Sequence, residues 1–209
     1  MAGVIAHELR NPLAAIRSAL QIVCHRLQDD PPNYTVLTEV MARVDTLDAL
    51  IDDLLMFAVT PPLSPAAVDL RAVLESCSGW LRQQPGNRDL RITIAGTAPT
   101  VRADPALLAT AFKHLMLNAA QAMRGVGHLR LSLSSADSVA QIVIADQGSG
   151  LTDDAEAHLF EPFFSTKASG TGLGLPTARR LLALHTGSLS VVSPPGGGTS
   201  VTVRLPLVS

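Results

Sequence analysis

Apolar residues at Leu9, Leu13, Ile16, Leu20, Val23 and Leu27 are spaced alternately by four and three, the seam of a coiled coil or helical bundle. Ala2 and Ala6 continue the seam toward the N-terminus, and at about 100° per residue His7, Glu8 and Asn11 project away from it. Pro12 has no amide to give the carbonyl of Glu8, so a bend is expected just past the His-Glu pair. "DDPPN", Asp29 to Asn33, then breaks the helix. Leu37, Val40, Val44, Leu47, Ile51, Leu54 and Ala58 resume the same spacing. The pattern predicts a helical hairpin over residues 1–59. Such a hairpin cannot cover its own apolar stripe, so pairing with a second copy into a four-helix bundle, a homodimer, is expected.

"TPPLSPAAV" follows, and residues 60–68 read as a proline-rich, semi-rigid linker. In residues 69–209 the period changes. Arg71 to Gln84 has helical spacing, "LRITIAG" alternates as a strand, and Asp104 with Pro105 opens a long helix reaching Arg124. "HLRLSLSS" and "AQIVIAD" alternate as two strands around an Asp-Ser turn. Gly172 to His185 reads as a helix, and "SLSVVS" with "TSVTVRLP" as a closing hairpin. Strands interleaved with helices that cover one face make this second part an α+β sandwich.

Composition sharpens the picture in two places. Of 209 residues, 47% are apolar and only 3% aromatic, so the cores must be built from Leu, Val, Ile and Ala. A formal net charge of -2 without a basic stripe gives no footprint for nucleic acid. Cys24 and Cys77 are too few for a disulfide framework or a metal site, and reduced thiols fit a cytoplasmic protein. No apolar run reaches the length of a membrane span, so no membrane contact by this segment is expected. Of 16 basic residues only Lys113 and Lys167 are lysine.

The second part carries the candidate chemistry. "ADQGSG" ends a strand at Asp146, where a fixed carboxylate can accept the exocyclic amine of adenine while Gly148 and Gly150 admit the ring; the same residues also make plain turns. "GTGLGL", Gly170 to Leu175, opens a helix whose amides and positive end suit phosphate oxygens. Upstream, "FEPFFSTK" suggests a lid pinned by its apolar residues while Lys167 reaches a phosphate. A loop folded over the core by Phe163 and Phe164 accounts for the aromatics but not for the lysine. Asn118, in mid-helix, needs a partner for its amide. Its oxygen suits Mg²⁺ beside a triphosphate, and a core Asn bonded to backbone accounts for it equally well.

In order and spacing, "HELRNPL", "NAAQAM", "DQGSG", "FEPFFSTK", "GTGLGL" and "GGGTSVTVRLP" resemble the H, N, G1, F and G2 boxes and final hairpin of the sensor histidine kinases of two-component systems, over nearly the whole chain. The form of the H box and the short lid most resemble the nitrogen-regulation type. The resemblance implies a dimeric phosphoacceptor hairpin followed by an ATP-binding domain of the Bergerat type. It implies that His7 attacks the γ-phosphate of ATP, that Glu8 takes the imidazole proton, and that Asn11 positions water when the kinase dephosphorylates its partner, a response-regulator receiver domain. It further implies that Asn118 ligates Mg²⁺, that Asp146 holds adenine, that Gly148, Gly150, Gly170, Gly172, Leu173 and Gly174 shape the pocket, and that Thr166 and Lys167 lie by the triphosphate.

Two departures accompany the match. His114 stands one turn before Asn118, where the family usually has a second Asn; imidazole is a poor Mg²⁺ ligand, so a lowered or pH-sensitive activity is expected. Met1 is six residues before His7, so either a partner subunit supplies the signal or, as expected, the helix that leads from a sensor belongs to a longer kinase of which this is a fragment. His114 also supports a scaffold that binds ATP and transfers phosphate poorly. The chaperone and topoisomerase ATPases that share the glycine pattern need a carboxylate where His114 stands, and "HELRNPL" is foreign to them.

Overall fold

The computed structural model describes residues 2–28, 30–58, 62–97, 100–167, 170–194 and 196–207, apart from the side chains of 2–10, 49, 52, 57 and 58. The chain divides into two compact units, Met1–Pro61 and Pro62–Ser209. In the first, α1 (Ala2–Arg26) packs along α2 (Pro31–Ala58), and Pro12 lies inside α1. Cys24 and Val44 are buried between the helices, flanked by half-buried Leu13 and Leu20 on α1, Leu27 in the turn after it, and Leu37, Met41 and Ile51 on α2. Cys24 Sγ lies 3.4 Å from Met41 Sδ. The seam read from the sequence is in fact two lines. Ile16 (48%) and Val23 (40%) stay exposed on α1, as do Val40 (42%), Leu47 (50%) and Leu54 (40%) on α2, because the apolar stripe is wider than one neighbouring helix can cover.

The second unit begins with a strand where a linker was expected: β1 (Ala66–Val68) leads into α3 (Leu70–Gln83) and β2 (Leu90–Gly96), and β3 (Val101–Ala103) returns to pair antiparallel with β1. Then come α4 (Pro105–Ala122), β4 (Gly127–Ala136), β5 (Val139–Ala145), the short α5 (Asp153–Ala157), α6 (Gly174–Leu184), β6 (Ser188–Val192) and β7 (Ser200–Pro206). The main sheet has the order β2-β4-β5-β7-β6, with β2 parallel to β4 and the other pairs antiparallel. Asp137 and Ser138 turn β4 into β5 with φ of 51° and 60°, the twist a two-residue hairpin needs. Along β4, Leu129, Leu131 and Leu133 are buried and Arg130, Ser132 and Ser134 exposed, so one sheet face forms the core with Leu74, Phe112, Leu115 and Leu181 from the helices. Asp104 caps α4 as expected, its Oδ1 accepting from the amides of Ala106 and Leu107 at 3.0 and 3.1 Å.

Candidate functional site

The nucleotide-site candidates converge around the C-terminal half of α4. Asp146 follows directly on β5, and its amide donates to Thr199 O at 2.9 Å, which fixes the residue at the sheet's end. Its Oδ1 accepts from the amides of Gly148 at 2.8 Å and Thr199 at 3.1 Å, which leaves Oδ2 as the oxygen for an incoming donor. Burial pushes this carboxyl above its ordinary value, offset in part by those two amides and by the Lys167 ammonium. Gly148 is dictated by packing on α4: a Cβ there would meet Ala122 Cβ at 2.7 Å and Ala122 O at 2.8 Å. Gly150, at φ 75°, sits against Ser193, whose hydroxyl accepts from Leu151 N at 3.0 Å and donates to Gly198 O at 2.9 Å. The "DQGSG" loop is thus stitched to the "GGGTS" turn.

The glycine-rich entry to α6 is built by crossing chains. Gly172, at φ 68°, lies so close to the "FEPFF" segment that a Cβ would stand 2.7 Å from Phe163 Cα, and Phe163 N donates back to Gly172 O at 3.2 Å. The left-handed Gly172 starts α6 two residues later than the sequence spacing suggests. Leu173, fully buried, occupies the N-cap without a side-chain cap, and Pro176 has no amide of its own. The amides of Gly174 and Leu175 therefore open the helix for an outside acceptor. Gly174 faces α4, where its Cβ would lie 3.5 Å from His114 Nδ1 and 3.6 Å from Asn118 Nδ2. His114, Asn118 and the start of α6 therefore form one surface.

The lid residues divide differently from expectation. Phe160 lies under the guanidinium of Arg179 on α6 at 4.8 Å, and Phe164 meets the His158 ring at 5.1 Å, so these two pin the segment. Phe163 does not: it is 64% exposed, with φ at 68°. Thr166 is exposed, and Ser165 Oγ lies where a Cβ on Gly170 would collide. Lys167 runs inward to α4, its Nζ donating to Asn118 O at 3.3 Å and Gln121 Oε1 at 2.9 Å. Burial pushes the ammonium below its ordinary value, while the Asp146 charge works against that shift. Gln121 and Thr199 are site residues the sequence reading missed; Gln121 stands three positions after Asn118 on one helix face, which was the available signal.

In the first unit α1 carries His7, Glu8 and Asn11. The side chains of His7 and Glu8 lie outside the described residues, and Asn11 is exposed.

Residues 103–209 match the family described as "Histidine kinase-, DNA gyrase B-, and HSP90-like ATPase", and residues 1–59 match the "His Kinase A (phospho-acceptor) domain". The chain belongs to the sensor histidine kinases. Sensor histidine kinase ZraS of Escherichia coli K12 is 32% identical over 99% of this chain and 45% of its own length. Signal transduction histidine-protein kinase AtoS of the same organism is 36% identical over 99% of this chain and 34% of its own length. The chain therefore spans between a third and a half of these curated relatives, at 34% and 45%. Among solved structures, full-length ShkA in complex with AMPPNP matches with a TM-score of 0.80 at 25% identity, covering 100% of this kinase chain and 46% of that one. Acinetobacter baumannii histidine kinase AdeS shares the fold at a TM-score of 0.69 and 23% identity over 97% of this chain and 98% of that one. Among the described residues no helix is long and apolar enough to cross a membrane.

Proposed function

We propose that this histidine kinase core transfers the γ-phosphoryl group of ATP to His7 and passes it to the aspartate of a response-regulator receiver domain, acting as a cytoplasmic homodimer. The observation that carries the reading is Asp146, a half-buried carboxylate with Oδ1 tied by two backbone amides and Oδ2 left for the adenine amine, in a chain that also carries an H box. Asp146 then sets the base, the amides of Gly174 and Leu175 donate to phosphate oxygens, and Lys167 leaves Gln121 for a phosphate oxygen. Asn118 offers the amide oxygen that suits Mg²⁺. Among the described residues no group of three or more His, Cys, Asp or Glu could hold a metal, so Asn118 would hold such an ion together with phosphate oxygens and water. When bound, Mg²⁺ supplies neutralisation of the triphosphate charge.

At His7 a nitrogen–phosphorus bond forms as the bond between the γ-phosphorus and its bridging oxygen breaks, and ADP carries that electron pair away. Glu8 takes the imidazole proton, which keeps the attacking nitrogen nucleophilic. Asn11, one turn on, would place water for hydrolysis of the regulator's phosphoaspartate. The test is incubation with γ-labelled ATP and Mg²⁺. The expected label is acid-labile, base-stable and absent from His7→Gln; label retained in that variant overturns the assignment.

A further inference from the structure

The linker that enters the ATP-binding unit is held by a hydrogen-bonded chain distant from the nucleotide candidates. Asp104 stands at its centre. One carboxylate oxygen, Oδ1, caps α4 through Ala106 and Leu107; the other, Oδ2, accepts from Ser64 N at 2.9 Å, just ahead of β1. The Ser64 amide is the largest of the influences that hold this carboxyl below its ordinary value, followed by the Leu107 amide. Asp104 N in turn donates to Nε2 of buried His185 at 3.0 Å, and His185 Nδ1 stands 2.7 Å from Leu181 O. A carbonyl can only accept and an amide can only donate, so His185 is held as the neutral ring with the proton on Nδ1. His185 is the C-cap of α6, Asp104 the N-cap of α4, and the opposite ends of these two helices carry Gly174 and Asn118.

The geometry points to a latch in which Asp104 and His185 act as positioning residues, tying the interdomain linker at Ser64 to both helices that frame the nucleotide site. It rests on the proposed kinase reading and gives that reading a route for regulation. Strain on the linker would reach α4 through the Asp104 carboxylate and α6 through the Asp104 amide, and a displacement of α6 by nucleotide would be felt at Ser64 by the same route. Reciprocity follows: whatever nucleotide does to the Ser64 bond, breaking that bond does to nucleotide affinity by the same factor.

The test exploits the two ring nitrogens. In His185→Gln the amide oxygen reaches the place of Nε2 and can still accept from Asp104 N. In His185→Asn the shorter amide keeps the bond to Leu181 O and cannot reach Asp104. Hydrogen exchange at the Ser64 amide is measured in the whole 209-residue chain, with and without a non-hydrolysable ATP analogue, beside the affinity for that analogue. The Gln variant is expected to keep the wild-type Ser64 exchange rate, its response to nucleotide and the analogue affinity. The Asn variant is expected to exchange about fivefold faster or more, the effect of one lost hydrogen bond, and to lose the response. Equal behaviour of the two variants, or a Ser64 amide indifferent to nucleotide in the wild type, overturns the latch. Exchange and analogue binding need no phosphoryl transfer, so failure of His7 labelling is read separately.

Discussion

At the scale of single residues, Asp146 shows the conflict between folding and binding. A carboxylate raised by burial is held at an energetic disadvantage, with Lys167 and two amides giving only partial relief. Because its native-state value lies above the unfolded one, the folded chain holds the proton more tightly. Stability therefore falls as pH rises from about 3.9, the unfolded value, through the raised native value. Asp146→Asn removes the charge, so the variant should melt at a higher temperature than wild type at pH 7. The gap should close below about pH 3.5, where both side chains are neutral. Nucleotide should suffer in return. With its oxygen held by the Gly148 and Thr199 amides, the Asn presents its NH₂ to the adenine amine, donor against donor. An unmatched buried donor costs about 1–3 kcal/mol, so affinity should drop about tenfold. Calorimetric melts from pH 3.5 to 7 and nucleotide titration check both halves; a less stable variant at pH 7 refutes the first, and unchanged affinity removes Asp146 from the site.

Between elements, the glycines of "GTGLGL" turn out to have separate tasks. Gly172 is left-handed and pressed against the Phe163 backbone, whereas Gly174 sits in a helix with ordinary van der Waals room beside His114 and Asn118. Gly172→Ala should cost about 1–2 kcal/mol for its backbone conformation alone, more once Phe163 is displaced, and lower the melting temperature by about 5 °C. Gly174→Ala should leave it nearly unchanged. Equal melting temperatures for the two variants would show that the crossing of Phe163 over Gly172 does not bear on the fold. The sequence made the glycines visible but not this division, since spacing says nothing of which chain crosses which backbone. Long periodic elements and the Asp104 cap were legible because each announces itself within a few residues. β1 and β3 were not: three residues are too few to alternate, and their pairing joins positions far apart, Ala66 with Ala103. The five residues of α5 were missed for want of a period, although Thr152 caps it through the Ala155 amide. The partners of Asp146 and Lys167 were hidden for the same reason, as Thr199 and Asn118 are distant in sequence and near only in the fold.

For the whole molecule, the uncovered stripe of the hairpin decides the proposed assembly. Ile16 and Val23 are seven residues apart on α1, as are Val40, Leu47 and Leu54 in succession on α2, so the exposed line keeps a heptad period. A second copy can bury it by the same knobs-into-holes packing. Fully burying a Val, Leu or Ile side chain is worth about 1.5–3 kcal/mol, and these are already about half covered, so each contributes about 1 kcal/mol. Five from each protomer give on the order of 10 kcal/mol, against an association cost of about 4–15 kcal/mol. The balance is narrow enough for one charge to tip it. Leu47→Glu, at the middle of the line and half exposed in the single chain, should therefore leave the helix content intact while dissociating the dimer at micromolar concentration. Sedimentation velocity with far-ultraviolet circular dichroism reads both quantities. A variant that stays dimeric would place the interface elsewhere. A wild type that is monomeric at tens of micromolar would show that this stripe alone does not hold two copies together.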